Sequence, residues 1–319
     1  MVDDTQLAES RSIHRQTGKT FYFATRLLPE RVRQATYVLY AFFRVADEIV
    51  DDPGEMSADE QRERLLEVRD AALGRRDTDD PVLSAFSEVR EEYGIPDEEV
   101  EVFIEAMLTD IEKSRYETYD DVEEYMRGSA AAVGVMMTII METDDLETAL
   151  PHACRLGEAF QLTNFVRDVH EDIVDRDRIY LPLETLEACG AAPEDVERRR
   201  FTDELANAIE HELRRAERLY REGVAGIKYL PKDCQLPVLA AAVLYADHHR
   251  LIRADDLDTV TREPSLGTIR KIVLVARTRW HWFWSDDPET VFEKVSGISM
   301  PDDRSPTAGP GEPEPMPMR

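Results

Sequence analysis

Apolar residues recur every three or four positions along nearly the whole chain, from about residue 12 to about residue 296. This spacing gathers them on one face of an α-helix, and acidic residues fill the positions between them. No segment shows the strand–helix alternation of a parallel sheet or the regular turn signals of a series of hairpins. The pattern therefore predicts an all-α fold, a bundle of successive helices packed through their apolar faces.

Several helix ends can be placed from the sequence. Ser57 and Glu60 form a capping box that opens a helix, and other helices begin at prolines or aspartates. Pro231 and Pro237 are predicted to bracket a break between two helices, because proline donates no backbone hydrogen bond. The predicted helices cover about residues 31–51, 58–74, 82–93, 97–115, 121–142, 146–175, 203–229, 237–253 and 267–284.

The end of the chain differs in composition from the rest. From Pro301 onward it holds six prolines and no apolar periodicity, which is typical of a segment that builds no core. We expect one folded domain over residues 1–298, followed by a disordered Pro-rich tail over residues 299–319.

The chain is strongly acidic. Its 319 residues include 67 Asp and Glu but only 39 Lys and Arg, so the formal charge is −28. This charge excludes a general nucleic-acid binder, and it repels anionic substrates unless bound cations reverse the local sign. The acid is spread along the chain and lysine is scarce, which is typical of a halophilic protein whose self-repulsion is screened by salt. An acidic protein from an ordinary cytoplasm is the alternative.

Cysteine usage and hydropathy indicate the compartment. Cys154, Cys189 and Cys234 are far apart and odd in number, so they suggest neither a disulfide framework nor a metal site. The acidic N-terminus lacks the apolar stretch of a signal peptide, and no run of apolar residues is long enough to span a bilayer. We therefore expect a cytoplasmic protein.

Two stripes of polar residues interrupt helices that are otherwise apolar. In the first, Arg44, Asp47 and Asp51 follow at helical spacing after the apolar run 38–43. The second stripe comprises Gln161, Asn164, Asp168 and Asp172, spaced 3, 4 and 4 and accompanied by Arg167.

A largely buried helix must pair such charges or bind something with them. The two stripes can face each other across a helical bundle, where opposed carboxylates repel unless a cation lies between them. Oxygen ligands favour a hard divalent ion, Mg²⁺ first and Mn²⁺ second. The predicted ligands are Asp47, Asp51, Asp168, Asp172 and Asn164. The alternative is two independent salt-bridge networks built on Arg44 and Arg167.

With the segments around them, the stripes resemble the squalene/phytoene synthases over about residues 12–275. The matching segments are residues 18–52, 110–116, 125, 132–134, 161–172 and 178–182. The resemblance implies an isoprenoid synthase helical bundle around a central cavity and a prenyltransferase activity. The reaction would join two allylic prenyl diphosphates head to head, with divalent metal and without a nicotinamide cofactor.

The resemblance also implies roles for individual residues. Lys19, Arg44 and Arg167 would neutralise the diphosphate leaving group beside the four aspartates. The residues expected to contact substrate are Gln161, Asn164, Tyr125, Thr25, Phe21, Tyr245, Arg178 and Arg262. Thr25 is further expected to lie along the prenyl tail, where a small side chain leaves room for a C20 substrate.

Residues 161–164 and 178–182 look more like those of phytoene synthases, which predicts two geranylgeranyl diphosphates giving phytoene and downstream carotenoid enzymes as partners. One alternative is a C30 product of the squalene or dehydrosqualene type, made from farnesyl diphosphate. Another is a non-catalytic helical assembly factor, in which eroded aspartates would be expected.

Residues 268–284 depart locally from the acidic composition of the chain. They contain Arg270, Lys271, Arg277 and Arg279, no acid, and an aromatic end, Trp280-His281-Trp282-Phe283-Trp284. Basic and aromatic residues together suit a bilayer interface, so this segment predicts a peripheral membrane contact. The alternative is that the aromatic residues complete the core and the arginines bind acidic neighbours.

Overall fold

The structure is a computed structural model that describes the backbone of residues 4–17 and 19–298 and the side chains of residues 6–13 and 22–298. This part of the chain is helical and forms no β-strand, which confirms the all-α prediction. The Pro-rich tail lies outside the described residues. No helix in the described part is both long and apolar enough to cross a membrane.

The α-helices follow one another along the chain. They are α1 (Asp4–Thr17), α2 (Lys19–Thr25), α3 (Glu30–Asp51), α4 (Ala58–Ala72), α5 (Pro81–Tyr93), α6 (Asp97–Asp110), α7 (Tyr119–Met126), α8 (Ala132–Ile140), α9 (Leu146–Arg167), α10 (Val169–Asp175), α11 (Leu183–Cys189), α12 (Pro193–Glu197), α13 (Asp203–Ala225), α14 (Lys232–Ala254), α15 (Thr268–Trp284) and α16 (Pro288–Ser296). A π-helical turn (Arg127–Ala131) joins α7 to α8, and a 3₁₀ turn (Ile227–Tyr229) follows α13.

Local signals account for several of these ends. The predicted capping box is present at α4, where the backbone N–H of Ser57 donates to the Glu60 carboxylate at 2.8 Å. The prediction that Pro231 and Pro237 bracket a break between helices is wrong for Pro237. Helix α14 already begins at Lys232 and includes Pro237. Near a helix start a proline forfeits only one intrahelical hydrogen bond, and the apolar side of α14 is buried in the core.

Helix α9 lies at the centre of the bundle and packs closely against neighbours on two sides. A Cβ on Gly157 would lie 2.6 Å from the carbonyl oxygen of Ala130, and one on Gly223 would lie 2.7 Å from the Cα of Leu156. Only glycine permits such approaches of one backbone to another. These contacts fix α9 between the π-helical turn and α13, and so fix the side chains that α9 presents.

Candidate active site

A polar cavity of about 860 Å³ lies between α3, α6, α9, α10 and α14. The structure brings most of the predicted site residues to its wall. Those lining it are Arg44, Asp47, Asp51, Tyr125, Gln161, Asn164, Arg167, Asp168, Asp172, Arg178 and Tyr245. Their roles stay predictions, but their juxtaposition is a property of the fold.

The first carboxylate stripe lies on the last turns of α3. This helix buries Phe42 and Ala46 in the core, and Asp47 and Asp51 line the cavity. Burial, together with the charge of Asp51, raises the pKa of Asp47 to about 7. The Arg44 guanidinium lies 3.3 Å from the carboxylate of Glu48. The ionised form of Asp47 is therefore poorly compensated by the protein itself.

The second stripe spans the junction of α9 and α10. The prediction of one helix over residues 146–175 is wrong, because α9 ends at Arg167 and α10 begins at Val169. Asp168, at the junction, pairs with Arg167, whose Nε lies 2.6 Å from Oδ1. Burial, together with the Asp168 charge, raises the pKa of Asp172 to about 8. Both aspartates still line the same cavity.

Arg176 joins the two stripes to each other, and Arg178 joins the first stripe to α6. Arg176 places Nε 3.3 Å from Asp51 Oδ1 and Nη1 3.1 Å from Asp172 Oδ1. Arg178 donates to Asp51 at 3.0 Å and to the backbone carbonyl of Asp110 at 2.9 Å. The stripes thus face each other across one cavity and do not form two independent networks. Arg176 is absent from the predicted set, although its place four residues after Asp172 is a signal for pairing on a helix.

Asp110 is a buried carboxylate that the predicted set also lacks. It accepts hydrogen bonds from the hydroxyl of Tyr125 at 2.5 Å and from that of Tyr180 at 3.3 Å. Burial raises the pKa of Asp110 to about 6. A signal was available in the sequence, because Asp110 begins the family-like segment 110–116. Its contacts tie the tyrosines and Arg178 into one wall of the cavity.

The donor atoms around the cavity suit a hard divalent cation. In the described part of the chain, no three His, Cys, Asp or Glu side chains already lie close enough together to hold a metal ion. The guanidinium of Arg176 lies between the carboxylates of Asp51 and Asp172 and pairs with both. However, the Oδ1 atom of Asn164 is buried without a hydrogen-bond partner. The raised pKa values of Asp47 and Asp172 also mark carboxylates whose charge the neighbouring arginines compensate only in part. An oxygen-binding dication would supply what these atoms lack.

A second, apolar cavity of about 120 Å³ adjoins the polar one. The two share Val133, Gly157 and Phe160 in their walls. Thr25 is buried and lines the apolar cavity, together with side chains from α8, α9 and α14. Together the cavities place a charged compartment beside an oily one.

Three predicted residues are not placed at this site. Arg262 lies outside the cavity, with 56% of its side chain exposed and its Nε 3.8 Å from Asp258. The side chains of Lys19 and Phe21 lie outside the described residues. The cavity wall also includes His248 and Lys271, which the sequence reasoning did not assign. No motif marks them; only the packing of α14 and α15 brings them there.

Comparison with known proteins agrees with this geometry. The family model for squalene/phytoene synthase matches residues 14–272. The phytoene synthase of Cereibacter sphaeroides is 36% identical over 282 residues, which cover 86% of this chain and 79% of that protein. The 15-cis-phytoene synthase of Synechocystis is 30% identical over 278 residues, 82% of this chain and 81% of that protein.

Solved structures point to the same fold. A dehydrosqualene synthase bound to a ligand superposes with a TM-score of 0.78 at 28% identity, covering 88% of this chain and 98% of that one. A squalene synthase from Alicyclobacillus acidocaldarius superposes with a TM-score of 0.68 at 27% identity, covering 80% and 95%. The chain therefore belongs to the squalene/phytoene synthase family, whose members are prenyltransferase enzymes.

Proposed function

We propose that the protein joins two geranylgeranyl diphosphates head to head (1'-1) and converts them to phytoene through a cyclopropylcarbinyl diphosphate. The observation that carries the proposal is the adjacency of the two cavities, which share Val133, Gly157 and Phe160 in their walls. The charged lining of the first suits a diphosphate, and the apolar lining of the second suits a polyprenyl tail. The similarity to phytoene synthases supports the same activity.

The charged compartment would promote departure of the diphosphate. Arg44, Arg167 and Arg178 line it and can donate charge-assisted hydrogen bonds to phosphate oxygens, and Lys19 is expected to add a further positive charge. Asp47, Asp51, Asp168, Asp172 and Asn164 would hold Mg²⁺ or Mn²⁺, which supplies charge neutralisation of the leaving group. Without such cations the carboxylates would repel the substrate.

The apolar walls would protect the allylic cation from water. When the first diphosphate leaves, the C2–C3 double bond of the second substrate attacks the cation, and a proton is lost as the cyclopropane closes. The departing pyrophosphate can accept this proton, so no protein base is assigned. The second ionisation rearranges the carbon skeleton. In the absence of a hydride donor the final cation loses a proton, which gives phytoene without a nicotinamide cofactor.

A C30 product made from farnesyl diphosphate is the second candidate. It is favoured by the similarity to a dehydrosqualene synthase structure, which covers 88% of the chain. The experiment offers C15 and C20 diphosphates separately with Mg²⁺ and measures pyrophosphate release and the product by chromatography. A C40 hydrocarbon from the C20 substrate supports the proposal, and a C30 hydrocarbon from only the C15 substrate contradicts it. Absence of release from both substrates would favour the assembly factor.

The cellular setting is likewise proposed. The composition suits a salt-rich, halophilic cytoplasm, and the oily product suits transfer to downstream carotenoid enzymes at a membrane surface. Turnover that rises with KCl concentration would support the first point, since screening relieves repulsion within a chain of charge −28. Turnover that is highest at low salt would contradict it.

A further inference from the structure

One helix carries most of the exposed large apolar side chains in the described part of the protein. Ten such side chains are exposed, and six of them lie on α15. Those six are Ile269, Ile272, Val273, Trp280, Phe283 and Trp284. Their spacing of three, four or seven residues puts them on one stripe of the helix, which we call the α15 stripe.

The opposite side of α15 anchors the helix to the protein. Leu274 and Thr278 are fully buried there. Arg270 pairs with the buried Asp247 of α14, with Nη2 2.6 Å from Oδ1. Only Trp282 of the aromatic end packs partly against the core. The aromatic residues of the α15 stripe therefore do not complete the core; Phe283 is 77% exposed and Trp284 70%.

The charge of α15 is opposite to that of the whole protein. The helix has no acidic residue, whereas the chain carries a formal charge of −28. Arg277 and Arg279 are exposed near the stripe. Exposed aromatic and aliphatic side chains flanked by arginine complement the surface of a lipid bilayer, where anionic head groups cover an apolar interior.

The start of the helix also contributes to the wall of the polar cavity. Lys271, in its first turn, and Leu266, just before it, line that cavity. Ile269 and Ile272 of the α15 stripe flank Lys271 in sequence. At about 100° per residue, however, Lys271 lies on the anchoring side of the helix with Leu274 and Thr278, so α15 faces the cavity with one side and presents the stripe on the other.

We propose that the α15 stripe docks the protein on a bilayer of anionic lipid. This inference rests on the proposed function in one respect, because the purpose of the docking would be to deliver a hydrocarbon product into lipid. Its physical basis is separate, because the stripe, its basic flank and its anchoring side do not depend on turnover.

Flotation of the full chain with unilamellar vesicles tests this docking. Vesicles of pure phosphatidylcholine are compared with vesicles containing phosphatidylglycerol, at two KCl concentrations. The test variant is Trp280→Ser/Phe283→Ser/Trp284→Ser, and the matched control is Met56→Ser/Val174→Ser, which removes exposed apolar side chains elsewhere. We expect the test variant to partition at least about tenfold less into anionic vesicles, equivalent to about 1.4 kcal/mol, and the control to float like wild type.

Three results would overturn the docking. They are failure of the wild type to float, equal flotation of the test variant, and equal flotation of the wild type with neutral vesicles at low salt. If the wild type does not float but forms a dimer, and the test variant is monomeric, the stripe is assigned to contact with a second copy of this chain instead. Turnover in detergent separates the two proposals: an active test variant that does not float leaves the proposed function intact. Asp47→Asn is expected to float like wild type whatever its turnover.

Discussion

The polar and the apolar cavity are built in different ways although they share a wall. The polar cavity is lined by polar and charged side chains that follow one another at helical spacing on α3 and across the junction of α9 and α10. The apolar cavity takes its lining from α2, α8, α9, α13 and α14. Its shape depends on backbones that approach closely at Gly157 and Gly223. Chemistry is thus encoded locally, whereas the space for the tail is encoded by the packing of distant segments.

This difference predicts how each cavity responds to substitution. In the polar cavity one changed atom removes a charge that nothing else replaces, so the chemistry should fail while the fold persists. In the apolar cavity one enlarged side chain changes volume, so the choice of substrate should shift while the chemistry persists.

The largest effect is expected from the aspartates. Asp47→Asn, Asp51→Asn, Asp168→Asn and Asp172→Asn should each lower kcat by at least about 100-fold, since loss of a residue that only supports a metal ligand already costs 10- to 100-fold. Steady-state pyrophosphate release at saturating Mg²⁺ measures this, with circular dichroism as the control for folding. Near-wild-type turnover in one variant would remove that residue from the ligand set.

Two arginines offer a sharper contrast within the charged groups. Arg178 contacts Asp51 and the carbonyl of Asp110, whereas Arg262 lies outside the cavity. We expect Arg178→Gln to lower kcat/KM by roughly 10- to 100-fold, as for other residues that hold metal ligands. The control Arg262→Gln should change it less than about twofold, because an exposed ion pair contributes little. Equal losses in both variants would mean that Arg262 enters the cavity during turnover.

The apolar cavity is tested at Thr25. Thr25→Phe should block the space for the last isoprene unit and raise the ratio of C30 to C40 product from an equimolar substrate mixture at least about tenfold, since each buried methylene contributes about 0.8 kcal/mol. Thr25→Ser is the matched control and should leave the ratio unchanged. If both substrates lose turnover alike in a folded Thr25→Phe variant, Thr25 only packs a helix.

The residues that the sequence predicted best are those whose partners are close along the chain. Asp47 with Asp51, and Asn164 with Asp168, are one helical turn apart, so helix geometry alone puts each pair on one face. The contact of the two stripes through Arg176 was harder to predict, because it depends on the break at Asp168. That break is set by long-range contacts such as the hydrogen bond from the backbone N–H of His170 to the Thr259 carbonyl.

Arg262 shows where inference from sequence position fails. It follows α14 in a segment where Asp256 and Leu257 adopt positive φ angles of 57° and 66°. Asp258 then accepts a hydrogen bond from the backbone N–H of Thr261 at 2.9 Å. This local turn directs Arg262 toward Asp258 and away from the cavity. Residues with a side chain rarely adopt positive φ, so helical spacing along the sequence could not reveal the turn.

The smallest predicted effect concerns stability and follows from the opposed carboxylates. Burial raises the pKa of Asp172 from 3.8 to about 8 in the folded protein. Between these values the folded state holds a proton that the unfolded state has released. The free energy of unfolding therefore falls as pH rises across this window, and Asp172 destabilises the metal-free protein most at about pH 8.

Asp172→Asn removes this titration and should stabilise the metal-free protein at pH 8. We expect a gain of about 1–3 kcal/mol, less than the full shift at about 1.4 kcal/mol per pKa unit, because the substitution also deprives Arg176 of one carboxylate partner. Near pH 4, where Asp172 is protonated in the folded wild type, the variant should gain little. Urea unfolding in EDTA at both pH values measures the difference. Thr25→Ser, in the apolar cavity, is the control and should show no pH-dependent gain. An Asp172→Asn variant less stable at pH 8 than at pH 4, relative to wild type, would show that the arginines fully compensate the carboxylates.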